Sequence, residues 1–208
     1  MTQGRFITFE GGEGAGKSTQ VARLVERLRG LGHDVAQTRE PGGSPGAEGI
    51  RALVLNGEVE RWSPITETLL MYAARSDHLE RTIRPALDAG RWVVCDRFAD
   101  SSRAYQGAGG GAPADFIETL DAAIVGSTQP DLTLIFDLPV EVGLERAFGR
   151  GLFETRFESK GVAFHERLRA KFLQIARDHP ERCVIIDAVG SEDEVAERVR
   201  TAVEARLP

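Results

Sequence analysis

The chain has 208 residues, enough to bury one substantial core with at most a small appendage or lid beside it. Its 41% apolar and 28% charged residues, with neither a long apolar run nor a low-complexity tract, are those of a soluble globular protein and argue against membrane insertion and disorder. A net charge of −6 argues against wide electrostatic capture of nucleic acid, yet leaves room for a small anion held in a local basic pocket.

Phe6–Phe9 reads as a first strand. It follows Met1–Arg5 and meets Glu10 at once, too short an apolar core for a signal peptide, so a cytoplasmic location is expected. Gly11-Gly12-Glu13-Gly14-Ala15-Gly16-Lys17-Ser18 then fits G-x-x-x-x-G-K-[ST] without a gap. A helix follows, with Val21, Leu24, Val25, Leu28 and Leu31 on one stripe, Arg23, Glu26, Arg27 and Arg29 opposite, and Gly30 and Gly32 closing it. A second strand, Val35–Thr38, runs into Arg39-Glu40-Pro41-Gly42-Gly43-Ser44. Ser63-Pro64 reads as the N-cap and first residue of a long helix that passes Met71 and Arg75 and bends or restarts before Pro85. The third apolar run, Trp92–Cys95, leads into Asp96-Arg97-Phe98 and soon Tyr105-Gln106-Gly107. Leu132–Leu138 and Cys183–Ile186 are the fourth and fifth. The last helix opens at Ser191 with Glu194 three residues on, a capping box. Cys95 and Cys183 lie in such apolar runs and read as buried thiols; no zinc-ligand spacing occurs.

Apolar strands alternating with helical stretches predict an α/β fold: a doubly wound, five-stranded parallel sheet with helices on both faces, in a single domain over 1–208. One segment departs from this alternation. Between Glu145 and Arg169 come Arg146, Arg150, Arg156, Arg167 and Arg169, with Gly149, Gly151 and Gly161 interleaved and Phe153 and Phe157 nearby. Glycine frees the backbone and arginine brings charge, so the segment from about 146 to 161 is either a short lid closing over an anion or a solvated helix face with a loop.

In its strand–loop–helix setting, the glycine-rich stretch is expected to bind a nucleoside triphosphate. Backbone N–H groups between Gly11 and Thr19 would face phosphate oxygens, Lys17 would reach the β and γ phosphates, and the Ser18 hydroxyl would ligate Mg²⁺ with Asp96 beside the metal. Such a loop alone does not separate a kinase from a GTPase or a nucleotide-driven switch. The second ligand should lie at the carboxyl ends of the strands, where Arg39, Asp96, Arg97, Tyr105 and Gln106 fall. Arg39, Arg75 and Arg97 are suited to hold a monophosphate by forked hydrogen bonds, while Tyr105 and Gln106 could pack a sugar and read a base edge.

Phe9 to Ser18, Thr38 to Ser44, Asp96-Arg97-Phe98, Ser101-Ser102 and Ala104-Tyr105-Gln106-Gly107 together closely resemble the bacterial thymidylate kinases, over essentially the whole chain. The resemblance implies ATP-dependent phosphorylation of dTMP to dTDP, with Mg²⁺ as cofactor and a homodimeric assembly. It implies a dTMP pocket made of Glu13, Arg39, Pro41, Met71, Arg75, Arg97, Ser102, Tyr105 and Gln106. Catalysis would fall to Lys17, Arg97 and Asp96 with the lid arginines Arg146, Arg150 and Arg156. Some relatives carry an arginine inside the phosphate loop. Here those positions are Gly12, Glu13, Gly14 and Ala15, which moves the charge for the transferred phosphoryl out to the lid. Two further departures are Met71, where relatives commonly stack phenylalanine on the thymine, and Thr155, where an acid often precedes the arginine matching Arg156. A deoxynucleoside kinase would instead use Asp96 as a general base, and a switch ATPase would have no small acceptor. Leu69, Leu70, Leu79 and Ile83 on the long helix suit either a core or a subunit interface.

Overall fold

The computed structural model describes residues 4–149, 157 and 160–207. Among them five strands form one sheet: β1 (Phe6–Gly11), β2 (Val35–Arg39), β3 (Trp92–Asp96), β4 (Leu132–Asp137) and β5 (Cys183–Asp187), in the order β2-β3-β1-β4-β5 and parallel at every pairing. All six residues of β1 are buried, as a central strand covered on both faces requires. The edge strand β2, Val-Ala-Gln-Thr-Arg, buries only Val35, so the fully apolar pattern expected of it holds for its first residue alone.

The helices are α1 (Lys17–Gly30), α2 (Pro45–Leu55), α3 (Pro64–His78), α4 (Arg84–Asp88), α5 (Ala99–Ser102), α6 (Ala114–Ile124), α7 (Val140–Gly149), α8 (Val162–Asp178) and α9 (Glu192–Arg206). On one face of the sheet, Val21, Leu24, Val25 and Leu28 of α1 and Val195, Val199 and Val203 of α9 pack on Ile7, Phe9, Leu134 and Phe136. On the other, Leu79, Ile83 and Phe98 cover Phe6, Val93 and Cys95, while Leu168, Phe172 and Ile175 of α8 cover Ile135 and Cys183. Cutting one of these large side chains back to alanine costs ~2–5 kcal/mol.

Leu31 does not join the buried stripe expected of it. The helix ends at Gly30, so Leu31 becomes the C-cap, its N–H donates to Arg27 O, and its side chain is 62% exposed. The long helix behaves as its proline predicts. Ser63 Oγ accepts from Thr66 N at its start; before Pro85 the chain passes through a π-helical turn, Leu79–Ile83, in which Arg84 N donates to Leu79 O, and then resumes as α4. Leu79 and Ile83 are core residues, whereas Leu69 is 47% exposed. The capping box at Ser191 and Glu194 forms as read. Both cysteines are free and buried, and burial pushes the Cys183 thiol up to about 12. No helix among the described residues is long and apolar enough to cross a membrane.

Register fixes the site. Phe9 and Arg39 both pair with Asp96, so the phosphate loop, Arg39 and the Asp96-Arg97-Phe98 turn leave the sheet at one level, where β1 separates the two halves of the strand order.

Candidate active site

The phosphate loop leaves β1 and opens α1. Gly14 takes φ 67°, and a Cβ there would lie 1.9 Å from Gly143 O of α7, so position 14 accepts glycine alone. Lys17 Nζ donates to Gly11 O (3.1 Å) and Gly12 O (2.6 Å). Burial, with Arg97 close by, lowers its ammonium to about 8. Ser18 Oγ donates to Asp96 Oδ2 at 2.6 Å, which joins the two residues expected at the metal.

Arg97 sits at φ 69°, the one described residue other than glycine with positive φ. Its turn is gripped from β1: Glu10, fully buried, accepts from Phe98 N (2.8 Å), Ser101 N (3.2 Å) and Ser101 Oγ (2.6 Å). Burial, reinforced by Asp100, raises the Glu10 carboxyl to about 7. The guanidinium of Arg97 donates to Gly11 O and Glu13 Oε1, each at 3.0 Å, and lies over the Tyr105 ring. Tyr105 Oη donates to the same Glu13 oxygen at 2.7 Å. Burial alone would raise the Glu13 carboxyl, but Arg97 and Lys17 outweigh it and hold it near 2.

Arg75, 3% exposed, donates from Nε to Glu40 Oε2 (2.8 Å), from Nη1 to Ser102 Oγ (3.1 Å) and from Nη2 to Phe98 O (3.0 Å). Glu40 is steadied in turn by His78 Nδ1 at 3.0 Å, whose Nε2 lies 2.7 Å from Thr38 Oγ1. A buried charge pair of this kind is costly to break from one side, ~3–5 kcal/mol, and so fixes the arginine in place.

Glu13, Arg39, Pro41, Met71, Arg75, Arg97, Ser102, Tyr105 and Gln106 all line one cavity of about 430 Å³, together with Lys17, Ser18 and Asp96. Met71 packs in the apolar cluster that holds Tyr105 and Phe157. A second cleft, bounded by Thr19, Gln20, Arg146, Gly190 and Ser191, lies on the far side of the loop, and Gly14, Ala15 and Gly16 line both. Arg146 is thus brought to the second cleft and not to the arginine-lined cavity. Arg150, Arg156 and Thr155 lie outside the described residues. Arg167 donates to Ala108 O and Gly109 O, and Arg169 pairs with Asp137, so both tie α8 to its neighbours.

Sequence reasoning missed four residues of this site. Arg51, on α2, lines the cavity and donates to Pro41 O at 2.6 Å; Glu10, Glu40 and Glu67 are buried acids that hold other site residues. The one available signal was an acid at the end of an apolar run, as Glu10 follows Phe9, since an acid placed there is buried and must have partners.

A glycine-rich loop opening a helix from the middle strand of a parallel sheet, with a second anion pocket against it, defines a P-loop phosphotransferase. The sequence profile described as Thymidylate kinase matches residues 9–199. The chain is 64% identical over 207 residues to the thymidylate kinase of Caulobacter vibrioides, covering 100% of this chain and 99% of the relative. It is 52% identical to that of Afipia carboxidovorans, covering 99% and 91%. The crystal structure of thymidylate kinase from Ehrlichia chaffeensis superposes with a TM-score of 0.78 at 32% identity, covering 97% of this chain and 99% of that one. The chain belongs to the thymidylate kinase family, and its reaction is the ATP-dependent phosphorylation of dTMP to dTDP.

Proposed function

We propose that the phosphoryl crosses from ATP in the second cleft to dTMP in the arginine-lined cavity, past the loop that borders both. The observation carrying this reading is that Gly14, Ala15 and Gly16 line both spaces, so a donor and an acceptor phosphate can meet at Lys17. Phosphoryl transfer needs in-line positioning and charge neutralisation, since negative charge spreads over the transferred group. The acceptor is itself a phosphate whose second pKa is about 6, so near neutral pH it is already a nucleophilic dianion and needs no general base. Asp96 is then free of the base role it would have in a nucleoside kinase.

Lys17 neutralises the β and γ phosphates. Arg75 and Arg97 orient the acceptor phosphate, Arg75 locked by Glu40 and Ser102, Arg97 by Glu13 and Gly11. Arg39 and Pro41 close the rim, Ser102 and Tyr105 flank the sugar, and Met71 lies on the base. Ser18 and Asp96 offer two hard oxygen donors side by side, the donor set Mg²⁺ takes alongside waters and nucleotide phosphates. Bound there, Mg²⁺ neutralises charge between the β and γ phosphates. Arg146, Arg150 and Arg156, in a lid over about 146–161, supply charge to the transferred group within a single domain. The same reading gives a cytoplasmic homodimer that uses ATP and dTMP and binds no nucleic acid.

Lys17→Ala tests the core of this reading. It is expected to lower kcat by at least ~10³-fold, the range for removing a preorganised charge, while the thermal unfolding midpoint stays close to wild type. Activity within about tenfold of wild type would overturn the assignment.

A further inference from the structure

Gln106 lies in the π-helical turn Arg103–Gly109, is 1% exposed and lines the acceptor cavity. A carboxamide has two ends of opposite sense: its NH₂ donates and its oxygen accepts. Here Nε2 donates to Glu67 Oε1 at 3.0 Å, while the buried Oε1 has no hydrogen-bond partner among the described residues. Glu67 comes from a different element, α3, one turn before Met71, and is itself 5% exposed. Carboxylate oxygens accept, so they match only the NH₂ end of the amide. Turning Gln106 over would set oxygen against oxygen in a buried place and leave Nε2 unmatched, which is costly.

We propose that Glu67 is a specificity-determining residue that acts through Gln106. By fixing the amide with its oxygen unmatched, Glu67 makes the cavity select a pyrimidine whose ring N3 carries a hydrogen, as in thymine, over one that presents a lone pair there, as in cytosine. A polar site discriminates strongly when the wrong ligand leaves one of its buried groups unpaired. Glu67 touches no substrate in this scheme and positions the group that does. The inference rests on the placement of dTMP in this cavity proposed above.

The test is steady-state kinetics with dTMP, dCMP and 3-deaza-dTMP as acceptors, the last carrying C–H where thymine carries N3–H. Wild type should lose ~10- to 100-fold in kcat/KM with the deaza analogue. Glu67→Gln offers Gln106 either a donor or an acceptor, so the amide can turn over. The dTMP to dCMP ratio of kcat/KM should fall by ~10-fold or more, with the KM for ATP within about twofold of wild type. A folded Glu67→Gln enzyme with an unchanged ratio overturns the role of Glu67. If that variant does not fold, the wild-type comparison still decides, since equal kcat/KM for dTMP and 3-deaza-dTMP overturns the inference. Gln106→Leu separates the two levels. Unchanged dTMP kinetics there would overturn the placement of the base, whereas a loss there beside an unchanged Glu67→Gln ratio overturns the role of Glu67 alone.

Discussion

Lys17 and Glu10 have shifts of opposite consequence for the pH response. Lys17 is lowered from 10.5 to about 8 by burial and by Arg97. A depressed lysine lends stability that is present above its unfolded pKa and lost as pH falls through the folded value, so at neutral pH its charge is a cost that only an anionic ligand offsets. ATP arriving at the loop returns the lysine to its charged form. At pH 8 binding should therefore take up about half a proton per site, measurable by titration calorimetry in buffers of different ionisation enthalpy. Zero uptake would contradict the burial argument. Glu10 is raised from 4.5 to about 7, chiefly by burial. Its stability is fully present below pH 4.5 and is lost as pH rises through 7, roughly 3 kcal/mol in all. Glu13, held near 2, changes nothing in that window, because its own contribution is lost only as pH falls below 4.5. Glu10→Gln keeps acceptors for Phe98 N and Ser101 N, so urea unfolding of this variant should show a flatter pH dependence between 4.5 and 7 than wild type does.

Between elements, the closest approach in the site is that of the phosphate loop to α7. A Cβ on Gly143 would stand 2.5 Å from Glu13 O, and one on Gly14 would strike Gly143 O. Gly143→Ala should therefore push the loop off its position without touching a nucleotide, costing ~10- to 100-fold in kcat/KM, since sub-ångström placement governs transfer. Kinetics close to wild type would mean that the loop is softer than this packing implies. The loop itself was legible in the sequence because a hydrogen-bonding motif and a strand-to-helix change coincide there. Its contact with α7 was not, because Gly143 lies 129 positions after Gly14 and nothing local marks it. The same holds for Glu40 and His78 behind Arg75: the arginine announces itself by charge, but the buried acid that fixes it comes from another element. Edge strands are the weak point of pattern reading, as β2 shows, for half of their surface faces water.

Over the whole molecule, α3 has two tasks. Its inner face carries Glu67, Met71 and Arg75 to the acceptor cavity, and its outer face leaves Ile65 at 40% and Leu69 at 47% exposure, one helical turn apart, beside Leu53 of α2 at 44%. Sequence periodicity offered Leu69 and Leu79 equally as core or interface; the π-helical turn that follows α3 buries Leu79 and leaves Leu69 outside. Such an apolar patch suits the self-complementary surface of the proposed homodimer, where a residue near the two-fold axis meets its own copy. On a single chain, Leu69→Glu exchanges one exposed side chain for another, within about 0.5 kcal/mol. At a two-fold interface it sets two carboxylates against each other in a place without water. Sedimentation velocity at low micromolar concentration should accordingly show wild type at the mass of two chains and Leu69→Glu at the mass of one. Because α3 also forms the pocket wall, the KM for dTMP should rise several-fold while the KM for ATP, bound on the far side of the loop, stays near its wild-type value. Two-chain mass retained by the variant would place the interface elsewhere, and a rise in both KM values would mean that α3 had lost its fold rather than its partner.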